Sequence, residues 1–179
     1  QPIGDMEALG YYVIVATAGH DTTSASTAGG LLALMQNPEQ MNKLRNDISL
    51  LPHAIEEMFR WETPVKHFLR TATEDYTLRG RSIKEGDRLM MMYASGNRDE
   101  EVFNNPFEFQ VDRRPNKQIA FGYGVHRCLG HLLAKMEMSA FYKALLERTT
   151  DIQLNGDPAW IHATFVSGLK RLPVRFIAR

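Results

Sequence analysis

From Asp5 to Met35 the chain carries no proline, and its only glycines there are Gly10, Gly19 and the pair Gly29-Gly30. Such a run predicts one long helix of about 45 Å at 1.5 Å per residue. Its apolar residues do not form a single stripe. Tyr11, Val13, Ile14, Val15, Ala16, Leu31, Leu32 and Leu34 are spread around the circumference, which predicts a helix buried on several sides. Something must cover this rod, so the rest of the chain has to wrap it. With 179 residues, 44% of them hydrophobic, the chain can supply one packed domain.

The other elements follow from local signals. Asn37-Pro38-Glu39 predicts a helix start, with Asn37 as N-cap and Pro38 at the first helical position, running to about Asn46. A further helix is expected from near Pro52 to before Pro64. Between Val65 and Met92 the β-prone runs Phe68 to Thr71, Tyr76 to Leu78 and Arg88 to Met92 are broken by Gly80 and Gly86, which predicts a small antiparallel sheet. Asn97 to Gln118 has Asn-Pro and Arg-Pro steps without periodicity and reads as a long irregular segment of the kind kept for a function. Leu129, Leu132, Leu133, Met136, Ala140, Phe141 and Ala144 have helical spacing up to about Arg148. A final hairpin, around Asn155-Gly156 and Phe165 to Phe176, closes the chain. The fold class expected is mainly α with a small antiparallel β region.

Twenty-one Lys plus Arg balance twenty-one Asp plus Glu. No basic excess points to nucleic acid and no acidic excess to a solvating tail. No stretch is apolar over the length that a bilayer crossing needs, so no membrane partner is expected. The start lacks the basic and apolar regions of a signal peptide, and a single Cys makes no internal disulfide, so the default compartment is a reducing cytoplasm. A chain starting at Gln1 reads as processed or as a fragment.

The densest chemical signal is Phe121-Gly122-Tyr123-Gly124-Val125-His126-Arg127-Cys128-Leu129-Gly130, a glycine-rich loop that delivers the one Cys to the start of a helix. Amide groups at a helix N-terminus favour a thiolate, and a thiolate is a metal ligand. Glycines let the backbone come close to a flat ligand. An arbitrary cytosolic Cys is more often a small buried hydrophobe, but these surroundings reverse the odds. A dinucleotide loop fails, because Gly122-x-Gly124 has no third glycine at the required spacing and no Rossmann strand before it.

Phe121-x-x-Gly124-x-His126-x-Cys128-x-Gly130 resembles the haem-binding signature of the cytochromes P450, with every fixed position filled. The resemblance implies haem b, iron protoporphyrin IX, with Cys128 as the axial thiolate. It also implies His126 as a propionate partner and Phe121, Gly122, Gly124 and Gly130 as cofactor-binding residues. Ala18-Gly19-His20-Asp21-Thr22-Thr23 sets a carboxylate and two hydroxyls in the most apolar helix, an expensive place for them. Thr22 can bond back to the Ala18 carbonyl and, with Gly19, loosen or bend the helix into a groove. One reading is a polar kink satisfied by its own backbone. The other is a proton path, and the run resembles the P450 oxygen-binding motif, which implies Thr22 and Asp21 as catalytic residues.

Glu57 and Arg60, three apart, read first as a surface pair, but Ile55, Met58, Phe59 and Trp61 around them argue for burial. They resemble the family's Glu-x-x-Arg motif, which implies a structural network with a further Arg; Arg113 fits, and Arg114 adjoins it. Arg70, in Pro64-Val65-Lys66-His67-Phe68-Leu69-Arg70, resembles the family Arg that meets a propionate through paired bonds. The alternative is a cross-strand pair with Glu74 or Asp75. By the same resemblance Ala18 borders the cofactor, and the substrate meets Ile14, Thr17, Val65, Phe68, Phe165 and Val166, residues that otherwise count as core.

The resemblance runs the length of the chain, residues 1–179, but matches only the C-terminal part of a P450, from its long central helix to the C-terminal hairpin; the N-terminal half is absent. It implies a monooxygenase that inserts one atom of O2 into a small apolar molecule of terpenoid type. Electrons would come from a ferredoxin-type donor with its reductase, since no flavin or iron–sulfur motif is present. The rival is a non-catalytic fragment that survives as a binding or structural remnant, with the missing N-terminal half as its natural partner.

Overall fold

A computed structural model describes residues 2–179. The proline-free run forms α1, Asp5–Gln36, whose first turn carries Asp5 and Glu7 against the helix dipole. Its C-terminal part is buried from Ala25 onward, at Ser26 and from Gly29 to Leu34, whereas Tyr11 to Val15 are exposed. The rod is therefore covered at one end only.

Helices α2, Pro38–Asn46, and α3, Leu51–Glu62, follow. Asn37 does not cap α2 with its side chain. Its amide Nδ2 instead donates to the Ala33 carbonyl at 2.8 Å and closes the end of α1, while its own carbonyl receives the Gln40 and Met41 N–H groups at 2.9 and 3.1 Å. The residue before a proline is pushed out of helical space, so Asn37 ends one helix as it starts the next.

The β region is not one sheet. Strands β1, His67–Thr71, and β4, Arg88–Met92, pair antiparallel with Phe68 opposite Met91. β2, Tyr76–Leu78, pairs separately with β3, Arg81–Ile83, across Arg79 and Gly80, both at positive φ. A one-turn helix, α4, Tyr93–Gly96, leads into the irregular segment. α5, His131–Arg148, is followed by β5, Thr149–Leu154, which pairs with the last strand β8, Val174–Ala178. Between them β6, Ala159–Trp160, pairs with β7, Leu169–Arg171, so the expected hairpin is two nested pairs.

The core lies where α1, α3 and α5 meet, with Leu34, Met58, Met138 and Tyr142 fully buried. Tyr142 donates its hydroxyl to the Thr27 carbonyl at 2.6 Å, tying α5 to α1. The buried stripe of α5 is Met138, Tyr142 and Leu146. Leu129, Leu132, Leu133 and Met136, whose spacing points to the helix, are exposed. Among the described residues no helix is long and apolar enough to cross a membrane.

Candidate functional site

The site is built on a buried ionic network. Glu57 and Arg60, one helical turn apart on α3, are 0% exposed. Arg60 donates Nε and Nη2 to the two Glu57 oxygens, both at 2.7 Å. Arg113, not Arg114, adds Nε to Glu57 Oε2 at 3.0 Å. The remaining Arg60 donors go to the carbonyls of Asn97, Pro106 and Glu108, and Arg113 takes those of Asn104, Asn105 and Glu108. A buried charge is tolerated only when its hydrogen-bonding groups are satisfied; here the irregular segment does this with its own backbone. Gln110 N–H and Asn116 Nδ2 complete the Glu57 carboxylate at 3.0 and 3.1 Å.

Asn97, which sequence reasoning treated only as a segment boundary, is fully buried and bonds in two directions. Its Nδ2 donates to Thr63 Oγ1 at 2.8 Å, and its Oδ1 accepts the Ile119 N–H at 2.8 Å. Thr63 ends α3 in the left-handed region, at φ 44°, a strained conformation for a β-branched residue. The chain before the cysteine loop is thereby fastened to the end of α3.

The loop turns on Gly122 and Gly124, at φ 69° and 71°, where a side chain would be strained. Gly124–His126 forms a 3-10 turn, and the Cys128 N–H donates to the Phe121 carbonyl at 2.9 Å. Phe121 packs its ring 4.5 Å from that of Phe59 on α3. α5 begins at His131 with Gly130 as N-cap, so Cys128 stands ahead of the helix and not in its first turn. His131 Nδ1 lies 2.9 Å from the Cys128 carbonyl; that oxygen can only accept, so Nδ1 carries the proton. Cys128 and His126 are exposed.

Thr22 donates Oγ1 to the Ala18 carbonyl at 2.8 Å, the back-bond expected from the sequence, yet α1 continues unbroken to Gln36. Asp21 Oδ1 lies 2.8 Å from His20 Nδ1, both side chains exposed. Ile14, Thr17 and Ala18 occupy the same exposed stretch, and Thr17 bonds back to Val13 at 2.8 Å.

The structure brings Val65, Phe68, Phe165 and Val166 together. Val65 bridges Val166 antiparallel, Lys66 N–H donates to the Phe165 carbonyl at 2.9 Å, and the Phe68 and Phe165 rings meet edge to face at 5.3 Å. This strap reaches α1 where Gly168 abuts Ala25, about two to three turns beyond Ala18 and Ile14. Arg70 donates to the Leu69 carbonyl at 2.8 Å and pairs with no carboxylate among the described residues. Asp75, its alternative partner, is taken by Lys84 Nζ at 2.6 Å and the Glu85 N–H at 2.9 Å, and these bonds hold its carboxyl below the usual range.

Glu62 is a further buried acid that sequence reasoning missed. It is 7% exposed, lies against Gly29 of α1, and its Oε1 has no partner. Burial pushes its carboxyl above the ordinary value, against the pull of the Lys66 and Arg98 charges. Nothing in the spacing marks it, because burial here comes from contact between distant elements.

Among the described residues no three His, Cys, Asp or Glu side chains gather to hold a metal ion. A metal at Cys128 has to bring its other ligands with it. A prosthetic group that carries the metal's other donors itself and takes one thiolate from the protein fits that donor set, and the guanidinium of Arg70, free of any carboxylate among the described residues, suits a group that bears carboxylates.

The family model described as "Cytochrome P450" matches residues 4–158. The chain is 48% identical to "Cytochrome P450-terp" of a Pseudomonas species over 97% of its own length and 41% of the relative's. It is 39% identical to a steroid C26-monooxygenase of Mycolicibacterium smegmatis, covering 98% of this chain and 44% of that one. The crystal structure of CYP108D1 from Novosphingobium aromaticivorans superposes with a TM-score of 0.94 at 45% identity, over 100% of this chain and 44% of that chain. The chain thus spans less than half the length of these relatives.

Proposed function

The chain belongs to the cytochrome P450 family, and from that premise we propose that residues 1–179 are the C-terminal part of a haem-thiolate monooxygenase. Its substrate is a small apolar molecule. The observation that carries the reading is Cys128, an exposed thiol on a loop whose backbone is fixed by the Phe121 carbonyl. When bound, haem b would supply the activation of O2 by two delivered electrons and two protons and the insertion of one oxygen atom into a C–H bond, the other leaving as water.

In this reading Cys128 would hold the haem iron through its thiolate. Arg70 and His126 would neutralise the propionates, and Phe121, Gly122, Gly124, Gly130 and Ala18 would lie against the cofactor. Asp21, paired with His20 at 2.8 Å and open to solvent, takes up protons. Thr22 donates a hydrogen bond from Oγ1 to the Ala18 carbonyl, which leaves the oxygen's lone pairs free to accept one, and in this reading Thr22 passes toward the site the protons that Asp21 takes up. Ile14, Thr17, Val65, Phe68, Phe165 and Val166 hold an apolar substrate and exclude water, and the likeness to P450-terp favours a terpenoid. Glu57, Arg60 and Arg113 pin the irregular segment beneath the loop. A lone Cys holds no iron–sulfur cluster, which favours an outside ferredoxin-type donor with its reductase, and a thiol that must stay reduced favours the cytoplasm. The exposed apolar surface of α1 favours cover by the N-terminal portion of the same fold.

The test uses the natural-length protein that carries this sequence. Reduced and treated with CO, it is expected to show the red-shifted Soret band of thiolate ligation, and Cys128→Ser to abolish it. Thr22→Ala is expected to consume electrons with little product. An unchanged spectrum in the first variant overturns the ligand assignment, and unchanged coupling in the second overturns the proton role.

A further inference from the structure

The cysteine loop is anchored at both ends by one carboxylate, Glu56 of α3. On the entering side, Gln118 donates Nε2 to Glu56 Oε2 at 3.0 Å and accepts the Ala120 N–H on its own Oε1 at 2.7 Å. On the leaving side, Lys135, in the second turn of α5, pairs its ammonium with Glu56 Oε1. That same ammonium sits 5.6 Å from the centroid of the Phe121 ring, which also packs on Phe59 at 4.5 Å and meets the His131 ring at 6.0 Å. Phe121 in turn supplies the carbonyl that receives the Cys128 N–H at 2.9 Å.

We propose that Glu56 is the positioning residue of the loop: it fixes the separation of the limbs and, through Phe121, the direction of the Cys128 backbone. Its neighbour Glu57 serves the buried network, so two adjacent carboxylates on α3 divide the work, one holding the irregular segment and the other the loop. An ordinary surface ion pair contributes little to stability. Glu56 and Lys135 are only about a quarter exposed, and the bond from Gln118 is charge-assisted, so their contribution is to geometry more than to the fold. The functional weight of the proposal rests on Cys128 being the cofactor's ligand, but the clamp can be read without the cofactor.

Hydrogen exchange of the intact polypeptide, without haem, is the test. In Glu56→Ala the Cys128 and Ala120 amides are expected to exchange about tenfold faster or more, while the Gln110 amide, held by Glu57, keeps its rate. Glu56→Gln retains an acceptor for Gln118 but loses the charge for Lys135, so Ala120 stays protected and the protection at Cys128 falls. Should Glu56→Ala fail to fold, Gln118→Leu and Lys135→Met release one limb each and are expected to give part of the effect. An unchanged Cys128 amide, or equal acceleration at Gln110, overturns the proposal. In haem-loaded protein Glu56→Ala is also expected to shift the reduction potential. Absence of a thiolate spectrum in the parent protein would count against the enzyme reading alone and leave the exchange result standing.

Discussion

Glu62 shows how a single carboxyl can make the stability of the fold depend on pH. Its folded-state value is raised above the ordinary 4.5 by burial. The unfolded chain therefore releases this proton first as pH rises, and the contribution of Glu62 is complete below about 4.5 and lost as pH climbs through the folded value. Glu62→Gln keeps the shape and removes the titration. Denaturant unfolding at pH 5 and pH 8 is expected to show the parent losing stability between the two and the variant losing less. Equal losses would exclude Glu62 as the source. No sequence signal distinguishes Glu62 from Glu56 or Glu57, because its low exposure arises from Gly29 and Gly168, far away in the chain.

At the scale of elements, the strap that carries Phe165 and Val166 meets α1 backbone to backbone. A Cβ at Gly168 would stand 2.4 Å from the Ala25 Cβ and 3.2 Å from its Cα, atoms of a helix that cannot turn aside. Gly168→Ala is expected to cost about 1–3 kcal/mol, measured by chemical denaturation, and in the proposed enzyme to weaken substrate binding by moving Phe165. Elements with strong local signals were legible from the sequence: α1, α2, α3, β2 and β4 lie within a residue or so of expectation. Where two answers satisfied the same pattern, the sequence could not choose between them. α5 is apolar on both faces, so its period fits Leu132 and Met136 as well as Met138 and Tyr142, and only its contacts with α1 and α3 select the second set. β3 has no β-prone run to announce it, since an Arg and a Ser precede its one Ile. The resemblance points to Arg113, with Arg114 beside it, and Arg113 is the one that reaches the carboxylate of Glu57.

For the whole molecule, the dominant fact is the apolar surface left open to water. Tyr12 is 73% exposed, Leu129 93% and Val125 97%, well beyond the scattered apolar residues of an ordinary monomer. The polypeptide of residues 1–179 alone is expected to bind the dye ANS and to self-associate on sedimentation, and both effects should fall when a relative's N-terminal half is added. A dispersed, dye-free monomer would argue against a missing cover. The network beneath the loop has a consequence for divergence. Arg60 and Arg113 grip the stretch from Asn97 to Glu108 by carbonyls alone, and every amino acid provides one. As far as these bonds go, lineages can respell Asn104 or Glu108, though not Asn97, whose side chain also holds Thr63 and the Ile119 N–H, nor Phe103, buried against the Arg60 guanidinium. An insertion or deletion of even one residue would put the oxygens out of step with the guanidinium groups that read them.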